Sequence, residues 1–129
     1  MRKLISYMIV LVACSYLHAC GGNGPMYNST VPTQMPPYID NVAPASGSPG
    51  DVITIFGFGY SAQAPSNVIS FGSFSASATA YTLIPNATSN EIESLTVTIP
   101  AAATPGVVPV YVTVFGNTSN ANNTFTITP

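Results

Sequence analysis

Fixed positive charge is almost missing from this chain. Its only basic residues are Arg2 and Lys3, its one histidine is His18, and every position from 21 onward lacks Lys, Arg and His. A chain starting at Cys20 therefore carries four carboxylates (Asp40, Asp51, Glu91 and Glu93) and no side-chain cation, a side-chain charge of −4. Nucleic acid is excluded as a partner, because phosphate must be neutralised by Lys or Arg. Capture of anionic headgroups or carboxylates is excluded on the same ground. Tryptophan is absent and charged residues make up only 5%, about a fifth of the usual share. Residues that stabilise solvent-facing helices are therefore scarce. The two cysteines, Cys14 and Cys20, lie near the N-terminus, where a bridge between them would staple no core.

Much of what remains is β-branched, hydroxyl-bearing or turn-forming, with 10 Gly and 12 Pro in 129 residues. That mixture suits short strands joined by tight turns, and the length suits one domain. The first 19 residues read as a secretory signal: Arg2 and Lys3 precede an apolar run from Leu4 to about Leu17, too short for a stable span. "LVAC" and "LHAC", ending at Cys14 and Cys20, both resemble the lipobox of bacterial lipoproteins, in which the cysteine is lipidated. By length Cys20 is the preferred acceptor; by letter Cys14 is the alternative, since His18 is unusual in such a motif. A zinc site on Cys14, His18 and Cys20 lacks the four ligands a structural site wants. Neither Ser15 nor Gly21 is an acidic residue of the kind that retains lipoproteins in an inner membrane. The expected location is thus a bacterial envelope, at the outer membrane or cell surface, with the membrane as partner through the N-terminal lipid.

Residues 20–37 read as a flexible tether, rich in Gly, Pro, Asn and Thr. From 38 to 129 about seven short runs follow at roughly ten-residue spacing, which predicts an all-β sandwich. "SLTVTIP" places Leu95, Val97 and Ile99 on one face, and "VVPVYVTVF" places Val108, Val110, Val112 and Val114 on one face. The expected core is Ile53, Ile55, Ile69, Phe71, Leu95, Val97, Ile99, Val110, Val112, Phe125 and Ile127. "SASATAYTLI" reads as a strand or a strand pair, and Pro109 suggests an edge or a bulge. The stretch "SPGDVITIFGFGY" frames a strand between a Pro49-Gly50 turn and a glycine corner at Gly57 and Gly59, with Tyr60 returning over the core end.

At these residues the chain resembles the IPT/TIG family. Pro44, Gly47 and Gly50 match its first turn; Gly57, Gly59 and Tyr60 match its Gly-x-Gly-aromatic corner; Phe71-Gly72, Pro100 and Gly106 match later bends. The resemblance covers about Tyr38 to Thr128. It implies an immunoglobulin-like β-sandwich of about seven strands. It implies function only loosely, because such domains serve as spacer, adhesion and binding modules.

Chemistry-bearing groups are few. Ser and Thr lack a base to activate them, so the chain is read as non-enzymatic. Glu91 and Glu93 sit two apart, a spacing a strand could use for a carboxylate pair, yet two charges on a solvated edge explain them better. Asp40, Asn41, Asp51 and "NTSNANN" (117–123) supply oxygen ligands without a calcium-loop pattern. No metal or cofactor is expected. Four Asn-x-Ser/Thr sequons, at Asn28, Asn86, Asn117 and Asn122, follow from composition. Aromatics placed off the inward register are Phe56, Phe58, Phe74, Tyr81, Tyr111 and Phe115. Tyr111 and Phe115 share a face across Thr113, and with Asn117 they are the candidate ligand contacts. The leading expectation is a membrane-anchored module for protein contact or structural spacing, and the alternative is a carbohydrate-binding surface module for a neutral glycan.

Overall fold

Most strands of the domain follow the period-2 rule that puts alternate side chains on opposite faces. The computed structural model describes residues 35–129. Cys14, His18, Cys20, the signal and nearly all of the tether therefore lie outside the described residues. Ten strands form two sheets. Sheet A runs in the order β1 (Tyr38–Ala43), β3 (Val52–Phe58), β7 (Glu93–Thr98), β6 (Ala80–Leu83). Sheet B runs in the order β2 (Ser46–Gly47), β10 (Thr124–Ile127), β8 (Gly106–Val114), β4 (Asn67–Phe71), β5 (Phe74–Ser77), with β9 (Asn117–Thr118) also on β8. This is the expected immunoglobulin-like sandwich. The larger strand number arises because the first and last strands are each divided and "SASATAYTLI" splits between the sheets.

The expected core is the observed one. Ile53, Ile55, Ile69, Phe71, Leu95, Val97, Ile99, Val110, Val112, Phe125 and Ile127 are all buried, and Phe71 meets Phe125 edge to face with centroids 5.9 Å apart. Ile39, Val42, Ala78, Ala103 and Val114 join them, and Val108 is partly buried against them. Ile39 and Val42 break strict alternation because β1 carries a bulge, with its register against β3 shifting between Ile39 and Asn41.

Pro109 needs a different account from the expected edge. β8 is central, flanked by β4 and by β9 and β10. The Pro109 carbonyl accepts the Gly72 N–H at 3.0 Å, so the side of Pro109 that lacks an N–H faces the turn where β4 has already ended at Phe71. The Pro49-Gly50 turn is as expected. Asp51 N–H donates to the Ser48 carbonyl at 3.0 Å, and Gly50 has φ +94°.

Candidate functional site

The "GFGY" corner is built to hold the incoming chain. Gly57 is buried in β3, and a Cβ there would run into the Tyr38 carbonyl and the Tyr60 hydroxyl. Gly59 has φ +78°, and a Cβ on it would lie 3.1 Å from the Pro36 carbonyl oxygen. Tyr60, only 6% exposed, donates its hydroxyl to the Tyr38 carbonyl at 3.0 Å. Tyr38 stacks on Phe58 with centroids 5.0 Å apart. The two glycines therefore answer different demands, one a close approach and the other a left-handed backbone.

Glu93 completes this corner from β7. Its carboxylate accepts the Tyr60 N–H at 2.8 Å and the Tyr81 O–H at 3.0 Å. Burial first, then the charges of Glu93 and Asp40, push the Tyr60 phenol above its ordinary range; burial and the Glu93 bond raise that of Tyr81. The carboxylate pair imagined on one strand is not formed. β7 begins at Glu93, Glu91 lies in the preceding loop, and both oxygens of Glu93 are taken by protein donors.

The amides suggested as cation ligands have work elsewhere. Between β9 and β10 the chain bulges away from β8. From that bulge Asn120 accepts the Ile39 N–H at 2.7 Å and donates to the Ile39 carbonyl at 3.0 Å, while Asn123 donates to the same carbonyl at 3.0 Å. An amide side chain thus imitates a neighbouring strand and ties sheet A to sheet B. Asp51 accepts the Ser48 N–H at 2.8 Å. Among the described residues no three metal-ligating side chains cluster. A comparable device, invisible from spacing, sits at Asn67. Its buried amide takes the Ser61 N–H and donates to carbonyls of Ser61, Gln63 and Ala64, fixing the loop between β3 and β4.

The candidate contact residues are separated. Tyr111 lies half-buried on the outer face of sheet B, opposite Ser70 on β4. Phe115 does not continue that face. β8 ends at Val114, which pairs with Asn117 across the two-residue turn Phe115-Gly116, and both turn residues have positive φ (+47° and +84°). This is what a type I′ hairpin requires. Asn117, directly opposite the inward-facing Val114, falls on the other side of the sheet from Tyr111. Of the other aromatics, Phe56 and Phe58 lie outward on sheet A, whereas Phe74 and Tyr81 pack partly against the core instead of standing free. Ring stacking among the described residues occurs in Tyr38–Phe58 and Phe71–Phe125, leaving Tyr111 unstacked. Tyr38 is the aromatic that sequence spacing did not single out. Only the β1–β3 register brings it beside Phe58.

The sheets also differ in charge. No strand of sheet B has a charged side chain, whereas Asp40 is on β1 and Glu93 on β7 of sheet A. No helix among the described residues is long and apolar enough to cross a membrane. A search of curated proteins finds no match to this chain. The profile of the IPT/TIG domain matches residues 37–127, spanning the corner, both sheets and the core. Domains of this kind are in general non-catalytic contact modules. With the sandwich, its glycine corner and that match together, the chain belongs to the IPT/TIG domain family.

Proposed function

We propose that this protein is a lipid-anchored, non-enzymatic contact module of the bacterial cell envelope. In this reading lipid on Cys20 holds it at the outer membrane or cell surface, and its single IPT/TIG domain meets a protein partner. The observation that carries the contact role is the surface inventory. The described residues offer hydroxyls, amides, aromatic rings and four carboxylates, with no imidazole, thiol, ammonium or guanidinium. A strand face of Ser, Thr, Val and Tyr has the tools for hydrogen bonding and burial. The anchor is supported by the basic start, the apolar run and "LHAC" before "GGNG".

Intact-mass and peptide mass spectrometry of the protein extracted from membranes tests this reading. Acyl groups on an N-terminal Cys20 are expected, and Cys20→Ser should block processing or release the protein while Cys14→Ser should not. Acylation at Cys14 moves the site; an unmodified, freely soluble product ends the anchor reading. A second reading, recognition of a neutral glycan, is favoured by the unstacked ring of Tyr111 beside Ser70. Binding on a glycan array that Tyr111→Ala weakens by about 1 kcal/mol or more would select it.

A further inference from the structure

We propose that the end of the sandwich at which the chain enters rests against a neutral lipid bilayer, with Phe115 and Leu83 as its insertion tips. This rests on the lipid-anchor reading above.

The topology defines that end. The chain arrives through Met35–Pro37 beside Gly59 and starts β1 at Tyr38, opposite Phe58 at the close of β3. Gly57 pairs with Glu93, and Glu93 with Leu83, so the end of β6 lies there. Val114 pairs with Asn67, whose amide holds the loop after Gly59, so the Phe115-Gly116 turn lies there too. The C-terminus is at the opposite end, where Ser48 Oγ donates to the Pro129 carbonyl at 2.9 Å beside the Ser48–Asp51 turn.

Exposed apolar surface gathers at the entrance end. Four of the seven large apolar side chains left exposed are there: Met35 (66%), Leu83 (61%), Ile92 (42%) and Phe115 (68%). Leu83 is opposite Glu93 on β7, and Ile92 is opposite Ile84, whose N–H donates to the Ile92 carbonyl at 2.8 Å, so the two side chains lie on opposite faces of this hairpin. Phe115 adds an independent sign. It occupies a left-handed backbone position, φ +47°, that Asn or Gly fills without strain. A bare phenyl at a solvated tip is opposed by both backbone conformation and hydration. Retaining it there makes physical sense when the ring has an apolar phase to enter.

The occupant follows from the tether and the charges. At full extension residues 21–37 span at most roughly 55–60 Å. A lipid on Cys20 is therefore joined, along the chain, to the entrance end at Tyr38 and not to the C-terminal end. The domain has no cation to attract anionic headgroups, and Asp40, Glu91 and Glu93 lie toward this end. Zwitterionic headgroups are the ones these tips fit.

The protein contains no tryptophan, so a single introduced one reports without background. Lipidated Phe115→Trp, Leu83→Trp and Val107→Trp proteins, the last at the far end, are placed in phosphatidylcholine vesicles containing brominated acyl chains. Circular dichroism verifies each fold. Bromine should cut the emission of the Phe115→Trp and Leu83→Trp proteins to about half or less, as shallow insertion into the acyl boundary requires, and leave Val107→Trp unchanged. Replacing part of the phosphatidylcholine with phosphatidylglycerol should weaken the quenching. Vesicle flotation reads the anchor separately: wild type that does not float refutes the lipid anchor. Floating protein with unquenched tips overturns the docking, and so does equal quenching at Val107→Trp. Quenching that strengthens on anionic vesicles, or tips shielded instead by a co-purified protein, overturns the neutral bilayer as occupant.

Discussion

Replacing Gly57 with alanine asks whether the corner that receives β1 works as described. Gly57 is buried in β3, between β1 and β7 of the four-stranded sheet, and an added Cβ would meet the Tyr38 carbonyl and Tyr60 hydroxyl. Carbon and oxygen need about 3.3 Å, so the start of β1 must retreat by more than about 1 Å. That movement breaks the Tyr60–Tyr38 hydrogen bond, worth about 1 kcal/mol. It also parts the Tyr38–Phe58 stack, worth about 0.5–1.5 kcal/mol. Residual overpacking adds about 1–3 kcal/mol. The expected loss is roughly 2.5–5.5 kcal/mol, which in a domain of this size lowers the melting temperature by roughly 10–40 °C. Gly50→Ala is the control. Gly50 has φ +94° and open space around it, so only backbone strain of about 1–2 kcal/mol is expected. Urea unfolding and thermal melts followed by circular dichroism measure both. A Gly57→Ala protein no less stable than Gly50→Ala would refute the close-approach argument.

Asn120→Ala strands the buried Ile39 N–H and should cost about 1–3 kcal/mol in urea unfolding; Asn120→Asp, which loses the donor to the Ile39 carbonyl, should do no better. A neutral result for both would mean that the amide does not tie the sheets. Phe115→Asn should raise stability by about 1 kcal/mol, because asparagine accepts the left-handed turn position more readily; a lower melting temperature would show that the phenyl packs within the domain. Alkaline unfolding tests Tyr60. An unfolded tyrosine loses its proton as pH passes about 10, while folded Tyr60 keeps its proton to higher pH. The unfolded state then binds fewer protons, so stability is complete below pH 10 and falls as pH rises above it. Tyr60→Phe should flatten that fall, and an unchanged slope above pH 10 would remove Tyr60 as its source.

The sequence by itself determined the core and the fold class. Ile53, Ile55, Leu95, Val97, Ile99, Val110 and Val112 alternate with polar residues, and a period of two leaves a half-buried strand one register. It also determined the turn at Pro49-Gly50 and the chemistry the surface lacks, since composition needs no coordinates. Tertiary structure alone decided which distant groups meet. Nothing local pairs Asn120 with Ile39, Glu93 with Tyr60 or Tyr38 with Phe58. These contacts exist because the registers of β1 and β7 on β3 and of β9 and β10 on β8 place them together. The placement of Tyr111, Phe115 and Asn117 was likewise decided there. Continued alternation would have put Tyr111 and Phe115 on one face. The hairpin turn instead ends the strand at Val114 and carries the phenyl to the tip. Whether a backbone stops or continues at such a point depends on the partner strand, which a one-dimensional pattern does not contain.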